Sequence, residues 1–149
     1  MTKDVPADRT EEGWSSRASR SRRLARVIAV QALYESDLTG HPAAPAVHRR
    51  AAEAGLTPRM AEFATELVAR VETTRQELDA TIAKAAPAWP VDQIPAVDRS
   101  ILRLALAELG MGLGTPPGVV ANEAVELAKL LASESSPRFI NGVLGTVLG

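Results

Sequence analysis

The chain has no cysteine, so disulfides, thiol nucleophiles and Cys-based zinc sites are excluded. Histidine occurs only as His41 and His48, around Pro42 and Pro45. Zinc sites need several ligands fixed on one surface, so these read as solvated loop side chains. Aromatic residues make up 3% of the chain, which leaves few rings on which a base could stack. β-Branched and aromatic runs with period-two alternation are missing, which argues against a sheet. Apolar runs are short and broken by charge, so no membrane span fits. The opening MTKDVPADRTEE has no apolar signal-peptide core. Phosphate loops of the GxxxxGKS/T type, GxSxG elbows and HExxH motifs are all absent. The expectation is a cytoplasmic protein that is not an enzyme, with no metal and no cofactor.

What is present is globular: 149 residues, 46% hydrophobic and 23% charged, with a net charge of −1. That length predicts one domain with a substantial core. The neutral total hides an asymmetry. Residues 1–30 carry seven basic and four acidic groups, whereas 31–149 carry ten basic and fourteen acidic. Arg17, Arg20, Arg22, Arg23 and Arg26 fall within ten residues that hold no acid.

Proline costs a helix interior about 3 kcal/mol, so helices should fill the Pro-free intervals. The first is predicted over about Ser19–Leu38, with Leu24, Val27, Ile28, Gln31, Tyr34 and Leu38 on one face. A short helix follows over Ala44–Ala54. The next starts at Thr57-Pro58, a cap followed by proline at the first helical position. It should break near Thr73-Thr74, where two capping boxes overlap. After the fixed connection from Pro87 to Pro95 come helices at about Ala96–Leu113, Gly118–Leu131 and from Ser136-Pro137 onward. The chain is thus predicted all-α, with about seven helices. Residues 1–16 hold little but Trp14 to anchor them and are expected to form a disordered extension to a single domain at 17–149.

Little in this pattern carries chemistry. The glycines of Gly110-Met-Gly-Leu-Gly114 follow a helix and lead into Pro116-Pro117, which makes a turn rather than a dinucleotide cradle. Glu123 and Glu126 share a helix edge, but no histidine or metal ligand accompanies them; Asn122 or Glu123 could instead bond across a bundle. The arginine cluster is the strongest signal. Guanidinium groups match phosphate bidentately and stack on bases, and five of them at a helix start oppose the helix dipole. A solvated helix start, or a tail paired with the protein's own acids, is the structural alternative.

Three stretches together resemble the NusB transcription antitermination family. RRLARVIAVQALY at 22–34 resembles its opening helix. IPAVDRSILRLALAEL at 94–109 is similar to its central helix. VANEAVELAK at 120–129 with SSPRFINGVLG at 135–145 is similar to its C-terminal signature. The resemblance covers about residues 19–148. It implies seven helices in two three-helix bundles and binding of the boxA element in nascent ribosomal or antiterminated transcripts. It further implies a heterodimer with NusE, a small-subunit ribosomal protein, within an RNA polymerase antitermination complex.

By the same resemblance, Arg22, Arg23 and Arg26 match the family's basic RNA-binding start, and Arg138 with Phe139 a basic–aromatic pair near the RNA. Asp98 is a NusE-contact candidate, with Asp92 beside it. Ser135 stands where some members carry an acid. Self-association into a homodimer stays open. So do two other readings: the NusB-like start of a ribosomal RNA cytosine methyltransferase, whose catalytic domain this chain would lack, and a helical protein-interaction module that binds no RNA.

Overall fold

A computed structural model shows six α-helices and one 3-10 turn among the described residues. In chain order they are α1 (Ala7–Thr39), α2 (Ala43–Ala54), α3 (Pro58–Ala85), the 3-10 turn Val91–Gln93, α4 (Ala96–Gly110), α5 (Pro117–Leu131) and α6 (Ser136–Leu148). Backbone is described from residue 7 and side chains from Arg17; the expectation for residues 1–16 lies outside the fully described residues. No helix among the described residues is long and apolar enough to cross a membrane.

The helix ends follow local chemistry. Thr57 caps α3 by accepting a hydrogen bond from the Met60 backbone N–H at 3.2 Å, with Pro58 in the first turn. Gly112 and Gly114 take positive φ, 65° and 83°, in the turn after α4, a conformation that glycine adopts without steric cost. The predicted break at Thr73-Thr74 is a kink inside one continuous helix: Thr74 sits at φ −118°, ψ 18°. Both threonine hydroxyls donate backward to the Arg70 carbonyl, Thr74 at 2.6 Å and Thr73 at 3.2 Å. Such back-bonding loosens the backbone ladder and bends a helix without ending it. Counted as two segments, α3 brings the helix number to seven.

Helices α1, α2 and α3 pack against one another, as do α4, α5 and α6, and α4 also packs on both α1 and α3. This central position leaves α4 buried all round from Ser100 to Glu108. On α1 the buried face differs from the predicted stripe. Leu24 and Leu38 are exposed, while Ala25, Ala29 and Ala32 join Ile28, Val30 and Leu33 in the core. Small side chains let neighbouring helices approach closely, so the packing face follows alanine as well as the larger residues.

The two groups of helices are also tied by charge. Asp37 near the end of α1 receives Arg75 of α3 and Arg99 and Arg103 of α4 at 3.3–3.6 Å. Arg103 in addition donates two bonds to Asp79 at 2.8 and 2.9 Å. Arg99 donates to the carbonyls of Val91, Asp92 and Ile94 at 3.0–3.3 Å, which pins the connection before α4.

Candidate nucleic-acid interface

The arginine cluster lies within α1, not at its start, because the helix begins at Ala7. The dipole opposition expected from the sequence therefore does not arise there, since it is confined to the first turn. The 3.6-residue period sends the three motif arginines to different surroundings. Arg22 is exposed and, among the described residues, makes no ion pair or side-chain hydrogen bond. Arg23 is half-exposed and forms a two-pronged pair with Glu123 of α5, at 3.1 Å to Oε1 and 2.8 Å to Oε2.

Arg26 is the surprise of this cluster. It is 4% exposed and donates from Nε and Nη2 to both carboxylate oxygens of Glu108, at 2.8 and 2.7 Å. Its third nitrogen lies 3.8 Å from Glu123, and its guanidinium sits 5.5 Å from the Phe63 ring centroid. A guanidinium so enclosed, with Nε and Nη2 committed to Glu108, has little surface to offer a phosphate. Arg26 instead joins α1 to α3, α4 and α5 directly beneath the exposed arginines.

These pairs order the local electrostatics. The Arg23 hydrogen bonds hold the Glu123 carboxyl below the usual carboxylate range against the opposing effect of burial. In return Glu123 raises the already high Arg23 guanidinium. Sequence reasoning passed over Glu108, and weighed Glu123 as an edge partner of Glu126 or for a bond across the bundle, without naming Arg23 as its partner. An acid inside the apolar run of α4 was the available signal, because a buried carboxylate must find a partner.

Arg138 and Phe139 open α6, Arg138 exposed and Phe139 half-buried against the core. They are not next to the α1 cluster. Ser136 of α6 meets α4 at Asp98, whereas Arg26 meets it at Glu108. Those two anchor points are about 15 Å apart along the helix, a span that a few nucleotides of single strand can cover.

The two acids expected to face a partner also separate. Asp92 is exposed in the 3-10 turn, held in place through Arg99. Asp98 is 5% exposed and accepts a 3.0 Å bond from the Ser136 hydroxyl; burial pushes its carboxyl above the usual range. It does not cap α4, whose cap position is Pro95. Asp98 locks the start of α6 onto α4, while Asp92 offers its charge to the outside.

One open cleft adjoins the exposed arginines. Its volume is about 470 Å³, and it lies between α1 at Ser19 and Arg22, the start of α3 from Arg59 to Glu66, and the approach to α5 from Leu113 to Val119, with the paired Arg26 and Glu123 also in its lining. Among the described residues no group of three or more His, Cys, Asp or Glu could hold a metal ion.

Comparison with known proteins agrees with this geometry. The sequence model of the NusB family matches residues 23–148. The transcription antitermination protein NusB of Roseiflexus castenholzii is 46% identical over 129 residues, covering 85% of this chain and 91% of that one. The solved NusB of T. maritima superposes with a TM-score of 0.79 at 26% identity, covering 85% of this chain and 89% of that chain. A solved complex of the antitermination factors NusB and NusE with double-stranded RNA contains a chain that matches with a TM-score of 0.77 at 32% identity, over 86% of this chain and 96% of that chain. Shared helices, shared motifs and matched length place the protein: it belongs to the NusB family.

Proposed function

We propose that this chain is a transcription antitermination factor that binds boxA-type single-stranded RNA in nascent ribosomal transcripts together with NusE. It acts in the cytoplasm by binding, within the RNA polymerase antitermination complex, and carries out no catalysis of its own. The observation that supports this reading most directly is the divided arginine cluster on α1. Arg22 presents its guanidinium outward and Arg23 a half-exposed one paired with Glu123, while Arg26 is spent internally on fixing the helix that carries them. Phosphate contacts of this kind position a strand, and aromatic rings take its bases. Arg138 and the open side of Phe139 supply a second contact along α6, and Asp92 faces the basic, RNA-binding NusE.

The test is a salt-dependent titration of boxA-type RNA and a scrambled control, each with and without NusE. Each phosphate neutralised on a single strand contributes about 0.7 to the slope of log affinity against log salt. Replacing Arg22 and Arg23 by Gln should weaken boxA binding and lower that slope by about 1.4. A double variant with the parent's affinity and slope would place the RNA elsewhere on the protein.

A further inference from the structure

The cleft beside Arg22 combines three properties that a mere gap between helices need not have. Its two lips carry cations: Arg22 on α1 and Arg59 on α3 are both exposed, and neither makes an ion pair among the described residues. Its walls hold apolar side chains left in water, Leu113 and Val119 each at 47% exposure, facing a half-buried Phe63. Its α3 wall also carries the carboxylates of Glu62 and Glu66, one helical turn apart. Arg59, Glu62, Phe63 and Glu66 follow i, i+3, i+4, i+7 spacing, so one face of α3 delivers cation, ring and acids together. At about 470 Å³ the cleft has the size of a small-molecule site.

We propose that this cleft is a nucleotide subsite that takes one unstacked guanine of the bound RNA. The proposal rests on the RNA-binding reading above and adds to it a base identity and a location. The base lies between Phe63 and the Leu113–Val119 wall, with its flanking phosphates against Arg22 and Arg59. The acids decide the base. A carboxylate accepts two parallel hydrogen bonds from adjacent donors, and guanine alone presents two neighbouring donors, N1–H and the 2-amino group, on its Watson–Crick edge. Uracil, cytosine and adenine each place an acceptor beside their donor, and that acceptor would face the carboxylate oxygens. Glu62 and Glu66 thus supply selection at a place where acids would otherwise only repel a polyanion.

That last point gives the test its sign. If Glu62 and Glu66 were only solvated wall, neutralising them would strengthen RNA binding. As readers of guanine, their replacement weakens it. With the full chain and a boxA-type single-stranded 12-mer, Glu62→Gln/Glu66→Gln should lower affinity about five- to tenfold. Arg59→Gln should reduce the salt slope by about 0.7. Replacing each guanosine in turn by inosine, which lacks the 2-amino group, should weaken parent binding at one position. The acid double variant should be indifferent to that same replacement. Guanosine monophosphate, but not uridine monophosphate, should shift the Met60 methyl resonance, assigned with Met60→Leu.

Tight RNA binding that ignores Arg59→Gln and every inosine, or that rises in the acid double variant, overturns the guanine subsite and leaves the RNA-binding reading standing. No RNA binding even with NusE present overturns both. Equal shifts with the two monophosphates overturn the base assignment. All three test residues are exposed, so the variants should melt with the parent, which a thermal scan checks before titration.

Discussion

Arg22, Arg23 and Arg26 stand within five residues of one helix and meet three environments: solvent, a half-exposed pair and an enclosed one. An enclosed ion pair offsets the cost of taking two charges out of water only while both partners are present. Arg26→Met removes the donor from Glu108 and leaves an acid buried at 3% exposure without its partner. It should cost about 3–5 kcal/mol in urea denaturation. Arg26→Met combined with Glu108→Leu should recover most of that loss, because packed apolar groups commonly replace a buried pair at little cost. A single variant within about 1 kcal/mol of the parent would mean that the pair is open in solution. By contrast, Arg22→Gln should leave stability unchanged within about 0.5 kcal/mol, since Arg22 is exposed and makes no ion pair among the described residues.

At the level of the element, α3 carries both a cap and a kink, each made by threonine. The Thr57 hydroxyl satisfies one of the free N–H groups at the start of the helix. Thr57→Ala should therefore cost about 1 kcal/mol, with Thr57→Ser close to the parent. Thermal unfolding of the three proteins checks this; an alanine variant as stable as the parent would assign the helix start to Pro58 alone. The same first two turns present Arg59, Phe63 and Glu66 to the cleft, so the cap also holds part of the proposed nucleotide site. Beyond the kink, α3 contributes Leu78 and Ile82 to the core and Asp79 to Arg103. One sequence element thereby serves both halves of the molecule.

For the whole molecule, two buried carboxyls act in opposite directions as pH changes. Glu123 titrates below its ordinary range because Arg23 holds it ionised. Its contribution to stability is present above the ordinary carboxylate range and is lost as pH falls through its lowered folded value. Asp98 titrates above its ordinary range because it is buried. It costs stability when ionised, and that cost is relieved as pH falls through its raised value. Glu123→Gln should hence be less stable than the parent at neutral pH, with the gap closing in acid. Asp98→Asn keeps an acceptor for Ser136 and should be at least as stable as the parent at neutral pH, with its advantage vanishing below about pH 4. Urea midpoints across the acid range read both, and a Glu123→Gln profile parallel to the parent's would mean that the Arg23 pair contributes nothing.

The helices were legible in the sequence because their determinants are local. Proline, glycine and a capping threonine act on backbone torsions within a few residues, so the starts at Pro58, Ala96 and Ser136 and the turn at Gly112 and Gly114 needed no knowledge of the rest of the chain. The family motifs were likewise readable as strings. Exposure was not. Arg26 finds Glu108 82 residues away and Arg23 finds Glu123 100 residues away, and no local rule sets such distances. The cleft draws its lining from α1, α3 and the approach to α5, so Arg59 and Glu66 carried no signal until these elements met. Asp98 is expected from the resemblance to face NusE, but in the folded chain it is buried and bonded by Ser136, which arrives from α6. Local sequence determined which residues are helical, and tertiary packing decided which charges face water, because desolvation depends on neighbours that the chain brings together only on folding.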